Sequence, residues 1–535
     1  MGASNSRPVK PQQQDHQPPL EKSGFPGDAE TVRLPSVGHS SAERLYCIGA
    51  EAAIKSHSSR PSSATLHVSS FSKWQQRIDD DPVSRLAGLT LHNSNINSSL
   101  RSRKAETLNT HVFNTVIDHD NNPITNQQST GRCWLFATTN LIRNEMMKTL
   151  NTDSFQLSQS YLFFWDKVEK SNYFLENTLD LYDRPVDDRI FAFLKTEPVN
   201  DGGQWDMAAS LLAKYGVVPQ TVYPESRNSS SSRAVDSIIT TKLRHGAVQL
   251  RKLKREAVDR LLSFGEHVQT AEQRANDICR QAKYDIVEEV FKILSLSCGA
   301  PPNPDEEFVY EYRDKRGKFM RIESTPQAFF KKYAPEFDPA QYASLVHDPR
   351  QPDKVLLTVD RLGNVKEGNP IRYVSASMQD LKASLIKQIQ AGVPVFFGVD
   401  VGQSSDTQLG IMDTDLFDLE AAFGVDFSLT KAERIELGES SMTHAMVVSG
   451  VHLEPSSSSK APEMVRCKVE NSWGPDVGDR GYFVASSRWF DEFVFQVVIR
   501  KDFMPKDLWE IFQRGIDADT IVLPPYDPMG ALAKW

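Results

Sequence analysis

Apolar residues recur at helical spacing from position 134, where Trp134, Leu135, Ala137, Leu141, Ile142 and Met146 share a face and Gly131 marks a tight entry. The pattern predicts a helix whose first turn holds Cys133. Met207 to Tyr215 repeats the signal and stops at Gly216, a residue free to end a helix. Ile278, Ala282, Ile286, Val290 and Ile293 mark a long helix, and Phe308–Ile322 reads as a hairpin. Later the period changes. Val393 to Val399 and Ser441 to Gly450 are short apolar runs suited to buried strands, the second with His444 at its entrance. Val465 to Val469 alternates before Asn471-Ser472-Trp473-Gly474. Helical patterns early and strands late predict an α+β fold. Residues 1 to about 70 are rich in Ser, Pro, Gln and His, lack periodicity and are expected to stay disordered.

Composition narrows the classes of partner. At 535 residues the chain has room for two or three domains. Its 61 basic and 70 acidic residues give a net charge of −9, which exerts no general pull on nucleic acid. Arg244, Arg251, Lys252, Lys254 and Arg255 form the one dense basic run, readable as a solvated helix face or as a nucleic-acid contact. The five cysteines, Cys47, Cys133, Cys279, Cys298 and Cys467, are too few and scattered for a disulfide framework or a Cys-x-x-Cys metal site, which favours an intracellular protein without metal or cofactor. No apolar run approaches the roughly 18 residues that span a bilayer. There is no secretory signal pattern, and Asp15, Glu21, Asp28 and Glu30 break that of a mitochondrial presequence. A cytoplasmic location is expected, with minor mitochondrial or membrane-associated pools left open. Met1-Gly2-Ala3-Ser4-Asn5-Ser6 matches the pattern for N-myristoylation at Gly2, which gives reversible membrane contact; a chance match in a Ser-rich tail is the other reading.

The candidate chemistry begins at Cys133. A helix start favours thiolate and is expected to lower a thiol pKa of about 8.5 towards roughly 3.5–7.5. Six residues earlier, the Gln127 amide can donate to a developing oxyanion, a contact worth about 2.7–4 kcal/mol. A thiol nucleophile needs an imidazole to exchange protons with it, here His444, and a third group to fix that ring, here the Asn471 carbonyl. Trp473 is placed to cover the Asn–His bond. Taken singly, these residues read as an inert core thiol, a satisfied core histidine and a core aromatic. Taken in order, Gln, Cys, His and Asn, with Cys-Trp opening a helix and Asn-Ser-Trp-Gly closing a strand, resemble the papain-like cysteine peptidases. The usual Cys-Gly-Ser-Cys-Trp is here Thr130-Gly131-Arg132-Cys133-Trp134, so the first cysteine of that signature, normally held in a disulfide, is absent.

His444 follows Cys133 by 311 positions, where the papain pattern has about 130–150, so a large insertion is required. Gly131 to Phe136, Met442 to Met446, Leu157 to Phe164, Glu197-Pro198 through Asp201 to Gln204, Asp360 to Val365 and Asp527 to Lys534 resemble the bleomycin hydrolases. The resemblance runs from about residue 70 to the end. It implies a two-lobe papain-like fold: a disordered extension at 1–70, a helical lobe at 71–229, a mainly helical insertion at 230–350, a β-rich lobe at 351–522 and a C-terminal arm at 523–535. Gly202 and Gly203 would line the substrate groove. The arm, too rich in Pro and Gly for a helix, would lie in the active-site cleft, with Ala533 and Lys534 meeting the substrate and Trp535 as a departure placing the mature end in doubt. The resemblance further implies an aminopeptidase acting on peptides, bleomycin amide and homocysteine thiolactone, assembled as a homohexamer. A nucleic-acid-binding cage with incidental peptidase activity is the alternative, and an inactive scaffold a weaker one.

Overall fold

The computed structural model describes residues 64–117, 123–455 and 462–533. Gly2, Cys47, Lys534 and Trp535 lie outside the described residues, and Ala533 is described by its backbone alone. Residues 1–72 and 73–535 form two units. A helix over Val68–Asp80 begins in the first, on the last three residues of the extension expected to be disordered.

In the large unit, burial decides the layering. Helix Cys133–Leu150 buries 14 of its 18 residues, so both faces need cover. Helices Gln159–Asp180 and Trp205–Tyr215 lie on one side and strand His444–Glu454 on the other. Ser158 caps the first of these by accepting the Tyr161 N–H at 3.1 Å. Gly216, at φ +64°, ends the second as expected; a Cβ there would come 2.4 Å from the Pro326 backbone.

The strands form one mixed sheet in the order Ile521–Leu523, Leu356–Val359, Tyr373–Ser375, Tyr342–Val346, Val494–Arg500, Val395–Val399, His444–Glu454, Glu463–Glu470, Tyr482–Ser486, Ile411–Met412 and Ser405–Asp406. Val395–Val399 and the first eight residues of His444–Glu454 are wholly buried, matching the apolar runs that announced them. His444 faces Val399 across the ladder, and Val447 faces Glu470, which sets Asn471 just past its strand on the His444 side. One apolar core, with Trp134, Phe163, Trp205 and Phe396, joins helices to sheet. A second covers the other face under helices Met378–Gln390, Ser487–Phe493 and Lys506–Arg514.

The stretch 230–350 holds two 31-residue helices, Arg233–Ser263 and Val268–Cys298, and the hairpin Phe308–Arg313 with Phe319–Ser324. Its last strand, Tyr342–Val346, is a central member of the main sheet, so the insertion ends earlier than residue 350. The buried seam of Val268–Cys298 runs through Ala271, Ala275, Cys279, Lys283, Ile286, Val290 and Leu294. Ile278 is half exposed, because small residues one position later allow closer helix packing. Three side chains of the basic run, Arg244, Lys252 and Arg255, are exposed as on a solvated face, and two are not. Arg251 and Lys254 are buried and donate to the Leu181 and Leu179 carbonyls at 2.7 and 2.8 Å, while Arg255 takes Tyr182 O and Arg244 takes Lys195 O. These cations satisfy the carbonyls that a helix end leaves unbonded. Lys252, exposed like Arg244 and Arg255, lies 3.9 Å from Glu256. No helix among the described residues is long and apolar enough to cross a membrane.

Helix and sheet are tied by the buried pair of Arg143 Nη2 and Glu470 Oε1 at 2.7 Å. Replacing Arg143 by Met buries Glu470 without this cation and is expected to cost about 3–5 kcal/mol of unfolding free energy. Urea denaturation of variant and parent measures it; equal midpoints would show the pair to be dispensable.

Candidate active site

Cys133 opens its helix at the seam between helical lobe and sheet. The N-cap residue, Arg132, has no side-chain cap bond. Its buried guanidinium instead pairs with Glu225 at 3.1 Å and donates from Nε to Thr130 Oγ1 at 3.0 Å, sandwiched by Phe136 and Phe163. Thr130, standing where the missing signature cysteine belongs, donates to the Gln127 carbonyl at 2.6 Å.

His444 stands at the first position of its strand and is fully buried. Its Nε2 lies 2.9 Å from Asn471 Oδ1, while Nδ1 has no hydrogen-bond partner. The next residue, Ala445, points its backbone N–H at Cys133 Sγ, 3.4 Å away. Thiol and imidazole therefore meet where a helix start abuts a strand start. Asn471 Oδ1 also accepts the Ser472 N–H at 2.8 Å, which fixes the amide with its oxygen towards the imidazole. Trp473 stacks beside His444, centroids 4.9 Å apart and planes tilted 32°, and meets Phe483 edge-on.

Gln127 is buried next to this pair. Its Nε2 donates to Thr130 O at 2.6 Å, its Oε1 accepts from Ser472 Oγ at 2.7 Å, and its backbone N–H reaches Ser472 O at 2.8 Å. An amide so held keeps one N–H for another acceptor. Ser472 thus links Gln127 to the Asn471 loop, a role that the motif Asn-Ser-Trp-Gly contained without revealing.

The electrostatics differ from the expected resting thiolate. Burial pushes the Cys133 thiol up to about 11, although the N–H groups of Ala445 and Trp134 oppose the shift. Burial likewise pushes His444 down to about 4, against the Asn471 bond. In a dry site desolvation outweighs the helix dipole, so the free pair is neutral.

Gly202 and Gly203 are buried beside the nucleophile helix. A Cβ on Gly203 would fall 2.5 Å from the Trp134 ring, so glycine is required for packing against this indole. Trp134 Nε1 donates to Asp201 O at 2.7 Å, and Lys170 Nζ donates to Gly202 O at 2.5 Å. Asp201, which precedes these glycines, accepts the Gly131 N–H at 2.9 Å, a contact that its place in the glycine segment did not announce.

The arm also reaches this region. Pro528–Ala533 forms a 3-10 helix, contrary to the expectation of no helix, because Asp527 caps it by accepting the Met529 N–H at 2.9 Å. The Pro528 carbonyl accepts the Met442 N–H at 3.4 Å, two residues before His444. Met529 is buried, its carbonyl taking the Tyr373 hydroxyl at 3.2 Å. A cavity of about 390 Å³ is lined by Lys170, Asn200, Met207, Leu362 and Pro525, and none of Cys133, His444 and the two glycines lines it.

Comparison with known proteins agrees with this architecture. Residues 65–530 match the model of the Peptidase C1-like family. Cysteine proteinase 1, mitochondrial, of Saccharomyces cerevisiae is 38% identical over 476 residues, covering 88% of this chain and 94% of the yeast protein. Aminopeptidase C of Lactobacillus delbrueckii subsp. lactis is 40% identical over 420 residues, 78% of this chain and 88% of the bacterial one. The crystal structure of PepW from Lactobacillus rhamnosis superposes with a TM-score of 0.79 at 40% identity, over 88% of this chain and 99% of PepW. A thiol and an imidazole brought together by a helix start and a strand start, in a chain matched along nearly its whole length, place the protein in the Peptidase C1-like family, with the papain-like cysteine-peptidase fold.

Proposed function

We propose that the protein is a cysteine aminopeptidase that removes single residues from the free N-terminus of peptides by a Cys133–His444–Asn471 mechanism. The observation that carries the exopeptidase part is the arm anchored two residues from His444 by the Met442–Pro528 bond. Pro528–Ala533 forms a compact 3-10 turn there, with Met529 buried. An arm fixed there would close one side of the substrate groove that the resemblance implies, leaving room for a free N-terminus. The names of the yeast and bacterial relatives agree with a thiol peptidase and with an aminopeptidase.

The geometry supports a sequence of steps that balances. Cys133 sulfur attacks the first peptide carbonyl as its proton passes to His444 Nδ1, the nitrogen that has no other partner. The oxyanion takes N–H groups from Gln127 and the Cys133 backbone. The C–N bond breaks as the imidazolium protonates the leaving amine. Water, losing a proton to His444, then cleaves the thioester and restores the thiol. Asn471 keeps Nε2 as the bonded nitrogen throughout, and Trp473 keeps water off that bond. The reading extends, on resemblance alone, to a homohexamer, to hydrolysis of bleomycin amide and homocysteine thiolactone, and to a cytoplasmic location consistent with four buried, unpaired cysteines among the described residues.

Cys133→Ala is expected to lower hydrolysis of aminoacyl fluorogenic amides by at least about a thousandfold while leaving the fold intact; residual activity near the parent level would overturn the mechanism. Peptides differing only in N-acetylation separate the exopeptidase claim from the chemistry. Free peptides should be cleaved and acetylated ones spared, and equal rates would remove the claim. Since neutral His444 must accept the thiol proton and burial lowers it to about 4, kcat/KM should fall as pH drops through about 4. An acid limb near 6.5, the ordinary imidazole value, would contradict the buried pair.

A further inference from the structure

One carboxylate joins several pieces of the site. Asp201 Oδ2 accepts the Gly131 N–H at 2.9 Å and the Ser232 hydroxyl at 2.5 Å, and Oδ1 lies 2.7 Å from Lys167 Nζ. The backbone carbonyl of the same residue takes the Trp134 indole N–H at 2.7 Å. Gly131 precedes Cys133 by two residues, so this bond fixes the strap that aims the Cys133 backbone N–H. Lys167 is fully buried on helix Gln159–Asp180 and bonds a second carboxylate, Asp236, at 2.8 Å in the first turn of helix Arg233–Ser263. The nearby Lys170 is engaged with its own Asp166 at 2.8 Å. One buried ammonium therefore holds two anions, one from the glycine segment and one from the insertion.

We propose that Asp201 is a positioning residue for the reaction, which with Lys167 as counter-ion holds Gly131 so that the Cys133 N–H and the Gln127 amide converge on the oxyanion. A charge-assisted bond is shorter and stiffer than a neutral one, and donors fixed in advance stabilise developing charge without reorganising. The ammonium is needed as well. Alone, an anion beside the thiol would oppose the negative charge that forms on sulfur and oxygen; paired with Lys167 it supplies rigidity with little added field. Ser232 and Asp236 extend the same network into the insertion, which gives the insertion a direct hold on the nucleophile strap.

The inference rests on the thiol mechanism above, and the test separates the two. Full-length Asp201→Asn, which keeps an acceptor for Gly131 but loses the ion pair, and Asp201→Ala, which loses both, are compared with the parent. The readouts are kcat and KM on an aminoacyl amide and the rate of Cys133 alkylation by chloroacetamide. Alkylation uses the thiol and imidazole but builds no carbonyl oxyanion. In D201N, kcat should fall at least about tenfold with KM nearly constant, while alkylation stays within about twofold, since an oxyanion donor is worth about 10²–10³ in kcat. D201A should fall further; if it is insoluble, D201N decides alone. Unchanged kcat in D201N, or alkylation falling in step with hydrolysis, would overturn the proposal. Peptide mapping that finds the alkyl group away from Cys133 would instead sink the thiol mechanism.

Discussion

A helix that starts inside a protein leaves N–H groups that water cannot reach, and the Cys133 helix starts in the core without a side-chain cap. The site is arranged around that deficit. Gly131 gives its N–H to Asp201, while Ala445, arriving from the sheet, adds another N–H at the sulfur. Sulfur is a weak acceptor, so donors aimed at it are poorly satisfied in the free protein. They gain most when negative charge forms on the sulfur or at the adjacent carbonyl. The helix start thus acts on the reaction's charged states more than on the resting thiol, which burial keeps protonated.

Dryness has a cost, visible in the charges buried around the site. Arg132 with Glu225, Arg143 with Glu470, Lys167 with Asp201 and Asp236, and Lys170 with Asp166 all lie in or beside the helical lobe's core. Apolar side chains of equal volume would give comparable stability, since desolvation consumes most of the Coulombic gain. What ion pairs supply is direction. Three of them join a segment near Cys133 to a different element, Arg132 to the loop before the insertion, Arg143 to the Asn471 strand, Lys167 to the glycine segment and the first insertion helix, whereas Lys170 and Asp166 lie one turn apart on the same helix. Lys167 meets two carboxylates, and burial raises Asp236 whereas Asp201, although burial opposes it, is held low by the same ammonium. The charge is shared unequally, in favour of the carboxylate that touches the nucleophile strap.

This division explains what could be read from the chain beforehand. Cys133, His444, Asn471 and Gln127 stand beside local signals, a helix start, a strand entrance and a strand exit, and the ladder register brings them together. The runs at 395 and 444 could only be buried strands. Lys167, Asp201 and Asp236 carry no such signal, because a charged residue on a helix reads as solvent-facing until its partner is known. Arg251 and Lys254 within the basic run escape the reading for the same reason: their partners are carbonyls at the end of another helix, 70 and 75 residues away in sequence. The seam of Val268–Cys298 was displaced because alanine and cysteine look weaker than isoleucine as core markers, although their small size sets the helix spacing.

The arm shows why positional specificity belongs to the fold. Strand Ile521–Leu523 pairs in parallel with Leu356–Val359 at the sheet edge, and the chain leaves that edge already directed towards Met442. Arg350 holds Asp527 at 2.9 Å while chelating Asp348 from its own loop, and Asp527 in turn caps the turn that buries Met529. A Cβ on Gly530 would sit 3.2 Å from Leu362, leaving little room for the turn to shift. Moving the arm would require breaking a sheet edge, an ion pair and a core contact together. A segment held in this way behaves as a wall, unlike a tethered peptide that exchanges with substrate. On the proposed exopeptidase reading, where such a wall meets the imidazole strand, the length of chain that binds ahead of the scissile bond would be set by the register of one edge strand.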